Sequence, residues 1–519
     1  MAISTALGFY CRPLVFLRSP LRLGLGKVRL SFAAAIQSFD EAGGSKISES
    51  IGGNGCKASE WKKLKSKDLG ISNSRIPRPT RNVLNILKKQ GFEVYLVGGC
   101  VRDLILQRIP KDFDIITSAE LKEVMKTFSR CEIVGKRFPI CHVHVDDDVV
   151  EVSSFSTSAK PPGRDFSVIF EQPVGYDEKD YMRWRNCLQR DFTINGLMFD
   201  PYAKLVYDYM GGVEDIRKAK VRTIAPASIS LTEDCARILR AVRIAGRLGF
   251  QLSKETAVAI KKLSSSVLRL DRGRFLMEMN YMLAYGSAEA SLRLLWRFGL
   301  LELLLPLQAA YFVRTGFRRR DKRSNLLLAL FSNLDKYLRP DKPCHSSLWI
   351  AILAFHKALS DQPSDALVVA TLGLAVHNGG DLLEASSIAK RITKEHDISF
   401  HELLEPRDLD PKELRKQVII LAASIQGTLA SMTDEYAVSR AMSEYPKAPY
   451  SDLVFIPLTL YLRVCKIFEC VRSGKEKGFL AKQGSMIDHE LLALGSLQEV
   501  RHVFARVVFD TVYPLDTKY

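Results

Sequence analysis

Where an apolar run meets a helical stretch, the chain reads Gly98-Gly99-Cys100-Val101-Arg102-Asp103, followed by Asp112-Phe113-Asp114. A glycine pair leaving a strand lets backbone N–H groups approach phosphate oxygens without Cβ obstruction, and Arg102 adds charge nearby. Two carboxylates two residues apart point to the same face if the segment is a strand. Such a pair repels itself unless a cation lies between, and hard oxygen ligands suit Mg²⁺. The stretch therefore predicts a metal-dependent polyphosphate site. Glu151, set among strand formers in Val149-Val150-Glu151-Val152, offers a third carboxylate for the metal, or else a solvent-facing strand residue.

The surrounding pattern supplies both sheet and helix. A helix capped by Thr80 is expected over Val83-Leu84-Ile86-Leu87, ending at Gly91. Strands follow at 92–97, 113–116, 132–134, 140–145 and 149–155, with helices at 101–106 and 121–128. Residues 156–185 read as a long loop, regularity returns at 192–199, and Gly211-Gly212 marks a turn. After Thr232 apolar residues recur at three- and four-residue spacing almost to the end. The fold class is thus α+β: a mixed-sheet head at 76–215, a helical neck at 216–306 and a helical body and tail at 307–519.

Lys and Arg exceed Asp and Glu by 75 − 58 = 17, which favours polyanionic partners such as RNA. The first acidic residue is Asp40, while Arg12, Arg18, Arg22, Lys27 and Arg29 lie among Ser, Leu and Ala. That composition predicts an organelle transit peptide over 1–39, for mitochondrion or chloroplast, and the Gly/Ser/Lys-rich 40–75 reads as a flexible linker. The ten cysteines form no CxxC pair and read as reduced thiols, and no apolar run is long enough to span a membrane.

These residues resemble the class II tRNA nucleotidyltransferase and poly(A) polymerase family, whose head is of the polymerase-β-like nucleotidyltransferase type. Gly98 to Asp103 with Asp112-Phe113-Asp114 is similar to its first motif, and Arg190-Asp191-Phe192-Thr193-Ile194-Asn195 to its second. Asp208-Tyr209-Met210-Gly211-Gly212 resembles the third, Glu233-Asp234 with Arg237 and Arg240 the fourth, and Arg274 followed by Glu278 the fifth. The resemblance covers about 76–306. Departures are Gln189 where a second Arg is usual, Gly196 for Ala and Ile244 for Phe.

The resemblance implies template-independent nucleotidyl transfer to RNA 3′ ends, with two Mg²⁺ held by Asp112 and Asp114. It implies phosphate and sugar contacts from Gly98, Gly99, Arg102, Arg190 and Asn195, with Asp103 and Asp191 alongside. Glu233, Asp234 and Arg237, three and four residues apart on one helix, would read the base, with Arg240 beside them. Ile133-Val134-Gly135-Lys136-Arg137-Phe138 resembles a signature of bacterial-type poly(A) polymerases and tilts the expectation to AMP addition from ATP. Lys136, Arg137 and Arg274 are candidate RNA contacts. A CCA-adding enzyme using CTP and ATP on tRNA is the alternative, and a catalytically retired RNA-binding protein is a reading from another class.

Overall fold

The computed structural model describes residues 61–135, 139–158, 177–443 and 455–514. The basic segment 1–39, residues 40–60 and the Lys136-Arg137 pair lie outside the described residues.

Eight strands form one mixed sheet in the order β1-β8-β7-β2-β3-β6-β5-β4, with β3 and β6 its parallel pair. They are β1 (Lys62–Lys65), β2 (Val94–Val97), β3 (Asp114–Thr117), β4 (Cys131–Val134), β5 (Ile140–Val145), β6 (Asp148–Ser154), β7 (Leu197–Asp200) and β8 (Leu205–Asp208). The helices of head and neck are α1 (Arg78–Lys89), α2 (Gly99–Ile105), α3 (Leu121–Thr127), α4 (Phe155–Ser158), α5 (Glu178–Leu188), α6 (Gly212–Arg217), α7 (Ala227–Glu233), α8 (Ala236–Leu248), α9 (Lys254–Leu263) and α10 (Arg272–Leu283).

β2 and β7 are buried along their whole length, which is why 94–97 and 197–199 read as unbroken apolar runs rather than alternating ones. On one face Val94 and Leu96 pack with Val83, Leu84 and Leu87 of α1. On the other, Arg183 of α5 lies 4.2 Å from the Tyr207 ring centre and donates to the Tyr95 and Tyr209 hydroxyls at 2.8 Å each. Residues paired across strands share a face. The registers Val97↔Asp114, Ile115↔Val152 and His142↔Glu151 therefore put Asp114, Glu151 and His142 on the α5 face, side by side.

Downstream the chain is helical, and its core is continuous with that of the head, running from Ile71 to Tyr513. The helix Ser346–Asp361 is buried nearly all round, as a central helix must be. Among the described residues no helix is long and apolar enough to cross a membrane, and the described cysteines are free.

Three expectations are corrected. Ordered structure is already present from Trp61, the first described residue, and not only from near Ile76. Residues 62–65 form an edge strand on β8, and the Trp61 ring packs edge-on against Tyr209 at 5.0 Å. Lys63 also pairs with the buried Asp180 at 2.6 Å. Three lysines in four residues hide this strand from a hydropathy reading. Helix α1 is preceded by Pro77, with Pro79 and Thr80 already in its first turn, because that turn has no N–H partner for proline to remove. The expected loop at 156–185 contains the start of α5; its buried residues are Asp180, Arg183, Trp184, Asn186, Cys187 and Leu188, and the polar half of that face obscures the apolar period.

A closed polar circuit joins the neck to the head. Arg240 of α8 donates to Asp191 Oδ2 at 3.1 Å, and Asp191 Oδ1 accepts from the Phe192 N–H and from Asn195 Nδ2 at 2.8 and 3.0 Å. Asn195 Oδ1 accepts from Arg102 Nη1 at 2.7 Å, Arg102 Nε donates to Asp103 at 2.9 Å, and Arg247 of α8 lies 3.9 Å from Asp103. Burial alone would raise the Asp191 pKa, but Arg240, Asn195 and the Phe192 N–H more than offset it, and the carboxyl sits below its ordinary 3.8.

Two stability measurements check this packing. Trp61→Ala is expected to destabilise by about 3 kcal/mol, seen as a lower thermal midpoint, whereas Lys65→Ala on the same strand leaves it within error. Asp191→Asn leaves Arg240 without its partner and is expected to lower stability to denaturant by about 3 kcal/mol near neutral pH. Because the folded pKa of Asp191 is depressed, that difference is complete above about pH 5 and shrinks as the pH falls through 3.8 and below.

Candidate active site

Gly98 turns the chain from β2 into α2 at φ +78°, a conformation that favours glycine. A Cβ there would stand 2.8 Å from Arg190 Nη1 and 3.5 Å from Asp114 Oδ2. The missing side chain is thus what lets Arg190, two residues beyond α5, reach over the turn toward Asp114. Beyond the expected clearance for backbone N–H groups, Gly98 thus also makes room for Arg190.

Asp114 opens β3, but Asp112 lies before the strand and its side chain is 70% exposed, so the two carboxylates do not share a strand face as expected. The intervening Lys111–Phe113 segment is extended coil, which frees Asp112 to lean into the cavity. Burial, then the neighbouring charges of Glu151 and Asp112, push Asp114 up to about 6 against the pull of Arg190. Glu151 is raised by burial and by Asp112, with Lys111 opposing, and His142 Nε2 lies 3.8 Å from it. Carboxylates that raise one another in this way are short of a cation. Among the described residues no three acid, imidazole or thiol groups converge into a ready metal cage. Asp112 and Asp114 therefore fit a Mg²⁺ whose remaining ligands are waters and phosphate oxygens, its common mode of binding. Glu151 stands beside that pair as a neighbouring charge.

Gly98, Lys111, Asp112, Asp114, Glu151 and Arg190 line one cavity of about 1180 Å³, roofed by α8 and α10. On α8, Arg237, Arg240, Arg243 and Arg247 recur at three- and four-residue spacing and face it, while Ile238, Leu239, Val242 and Ala245 are buried behind. The buried Nε atoms of Arg240, Arg247 and Arg274 make no hydrogen bond, whereas that of Arg243 lies 3.4 Å from the buried Glu278 Oε2 in an ion pair. Burial pulls Arg243 and Arg247 below their ordinary pKa. The wall nevertheless carries as many carboxylates as cations, so the cavity is nearly neutral while its donors remain unsatisfied.

The expected single helix carrying Glu233, Asp234 and Arg237 is broken. Glu233 ends α7, Asp234 is extended and accepts from the Ala236 N–H at 3.1 Å, and Arg237 stands in the first turn of α8. The Asp234 side chain competes with the helix for that N–H, as aspartates do at helix ends. Arg237 still reaches Glu233 at 3.3 Å, and it is fixed by Ser230 Oγ at 2.9 Å and the Gln189 carbonyl at 3.3 Å.

The structure thus brings Gly98, Gly99, Arg102, Asp103, Asp112, Asp114, Glu151, Arg190, Asp191, Asn195, Glu233, Asp234, Arg237, Arg240 and Arg274 to one cavity. Arg102, Asp103, Asp191 and Asn195 line the cavity and are bonded to one another and to α8, so they also hold its walls together. Asp208 and the Gly211-Gly212 turn lie elsewhere. Asp208 caps α6 through the Gly212 and Val213 N–H groups at 2.8 and 2.9 Å, and a Cβ on Gly212 would collide with the Thr193 carbonyl at 2.3 Å. Lys111, Met277, Tyr281 and Tyr285 line the cavity without having been singled out. The four-residue step from Met277 to Tyr281 to Tyr285 was the available signal.

Residues 94–222 match the poly A polymerase head domain, and residues 249–312 the domain described as a probable RNA and SrmB- binding site of polymerase A. Poly(A) polymerase I of Haemophilus influenzae is 32% identical over 258 residues, 48% of this chain and 56% of that protein, so the match spans little more than half of the relative. Poly(A) polymerase I of Escherichia coli O157:H7 is 29% identical over 341 residues, 62% of this chain and 71% of the relative. A CCA-adding enzyme of Geobacillus thermodenitrificans is 35% identical over 220 residues, 42% of this chain and 52% of the relative. The chain thus carries the poly A polymerase head and RNA-binding domains in order on one cavity, and its relatives are poly(A) polymerases and CCA-adding enzymes alike.

Proposed function

We propose that the chain adds AMP from ATP to RNA 3′ ends without a template. The observation that carries this reading is the facing of the Asp112/Asp114 pair by a guanidinium wall across one cavity. The 3′-oxygen of RNA bonds to the α-phosphorus, the bond to the β-phosphate oxygen breaks, pyrophosphate leaves and the hydroxyl proton passes to solvent. Mg²⁺ held by Asp112 and Asp114, when bound, neutralises charge on the phosphoryl oxygens. Arg190, poised above Gly98, meets the charge of the triphosphate, and the unsatisfied Nε donors of α8 and α10 are placed to do the same. Glu233 and Arg237 offer an acceptor and a fork of donors at fixed spacing, which suits the edge of a base where no template strand exists.

AMP addition is favoured because the poly(A) polymerase relatives align over more of this chain than the CCA-adding relative does. CCA addition stays as the second reading, since the CCA-adding relative is the more identical over the stretch it shares. The retained Asp112 and Asp114 speak against a retired RNA-binding scaffold. The acid-poor, basic first 39 residues further support import into a mitochondrion or chloroplast.

With Mg²⁺, the full chain is expected to incorporate labelled ATP into oligo(A), and Asp112→Ala or Asp114→Ala to lose more than about 100-fold in rate. CTP incorporation on tRNA lacking its terminal nucleotides would instead establish CCA addition, and no incorporation by folded protein would leave only RNA binding. Residues 1–60 fused to a fluorescent protein are expected to deliver it to an organelle; a diffuse cytosolic signal would refute import.

A further inference from the structure

The groups given roles above leave one end of the cavity unexplained. Tyr281 of α10 and Tyr285 just beyond it have ring centres 5.3 Å apart, and both are only partly buried. The Lys111 ammonium lies 5.4 Å from each ring centre, and the Arg243 guanidinium 4.8 Å from that of Tyr281. All four residues line the cavity that holds Asp112 and Asp114, and Lys111 directly precedes Asp112.

This end is separate from the base-selecting one. Arg243 follows Arg237 by six residues on α8, which places it about 9 Å further along the helix. The cavity, at about 1180 Å³, exceeds the roughly 300–1,000 Å³ of a pocket for one small molecule. It has room for a second nucleotide next to the carboxylates. Aromatic faces beside a cation are the surface on which nucleic-acid bases stack, whatever their sequence, because every base has a π-face.

Resting on the nucleotidyl-transfer reading, we propose that Tyr281 and Tyr285 are the platform for the acceptor: the base of the RNA 3′-terminal nucleotide stacks on these rings while Lys111 pairs with the phosphate on its 5′ side. The 3′-hydroxyl is thereby held next to Asp112 and Asp114. A platform that touches faces and not edges accepts a single-stranded end of any sequence, and it does not choose the incoming nucleotide.

The test uses the full chain. An oligo(A) ending in 3′-terminal 4-thiouridine, irradiated on the protein without nucleoside triphosphate, is expected to crosslink to the peptide carrying Tyr281 and Tyr285. A crosslink confined to other segments, or none at saturating RNA, overturns the proposal without any variant having to fold. Tyr281→Ala and Tyr285→Ala are each expected to weaken binding of 5′-fluorescein oligo(A) about tenfold and to raise the KM for oligo(A) similarly, with the KM for ATP moving less than about twofold; the Phe variants restore both. Lys111→Gln, a change at an exposed lysine, is expected to reduce the salt dependence of RNA binding by about 0.7 in log K against log salt. A rise in the KM for ATP in place of that for RNA assigns these rings to the donor side and overturns the platform. Tyrosine-dependent RNA binding without incorporation refutes the reaction and keeps the platform, whereas incorporation indifferent to Tyr281 and Tyr285 refutes the platform alone.

Discussion

Two arginines of α8, seven residues apart on one face, are each held by a carboxylate of the head, Arg240 by Asp191 and Arg247 by Asp103. Between those carboxylates run Asn195 and Arg102, so the circuit leaves the neck and returns to it through residues of two separate head segments. Every wall of the cavity depends on this closure. Asp114 and Glu151 stand on the sheet and most of the guanidiniums on α8 and α10, and a shift of about 1 Å between the two would misplace reacting groups enough to matter for rate. The side chains that enforce the alignment include four residues of the first two motifs, which also line the cavity.

The balance of charge in the cavity has its own logic. A wall with as many carboxylates as cations does not attract a triphosphate by net charge; it sorts charge by place, with Asp112, Asp114 and Glu151 together on one side and the row of α8 guanidiniums on another. A polyanion entering this space needs cations brought with it, and the mutually raised Asp114 and Glu151 mark where one is wanted. The basic excess of the whole chain acts outside the cavity, in drawing a long polyanion to the surface.

Much of this arrangement was legible in the residues. The strand–turn–helix around Gly98, the position of Glu151 in a strand and the arginine spacing of α8 all follow from periods of two and of about 3.6. What escaped has local physical causes. Strand β1 is an exposed edge strand whose lysines leave no apolar alternation to read, and α5 buries Asp180, Arg183 and Asn186 among its apolar residues, which breaks the rule that buried means apolar. The break at Asp234 turns on one side chain capturing one N–H, which no window average can register. Asp112 left the strand for a similar reason, since a two-residue spacing is common to strands and to loops. The third motif looked functional because its glycines are compulsory; they are compulsory for packing, with Gly212 against the Thr193 carbonyl.

The edge strand β1 bears on how the chain is made. Lys62 pairs with Asp208, a separation of 208 − 62 = 146 residues, so among the described residues this strand finds its only neighbour in the last strand of the head. During synthesis, or during threading through any pore in N- to C-terminal order, that strand emerges early and waits unpaired until most of the head has followed. A bare strand in that position is an invitation to pair with another chain. Lys62, Lys63 and Lys65 make the waiting segment soluble and poor at self-association, and the lysines that obscure β1 in the sequence are those that let it survive until its partner arrives.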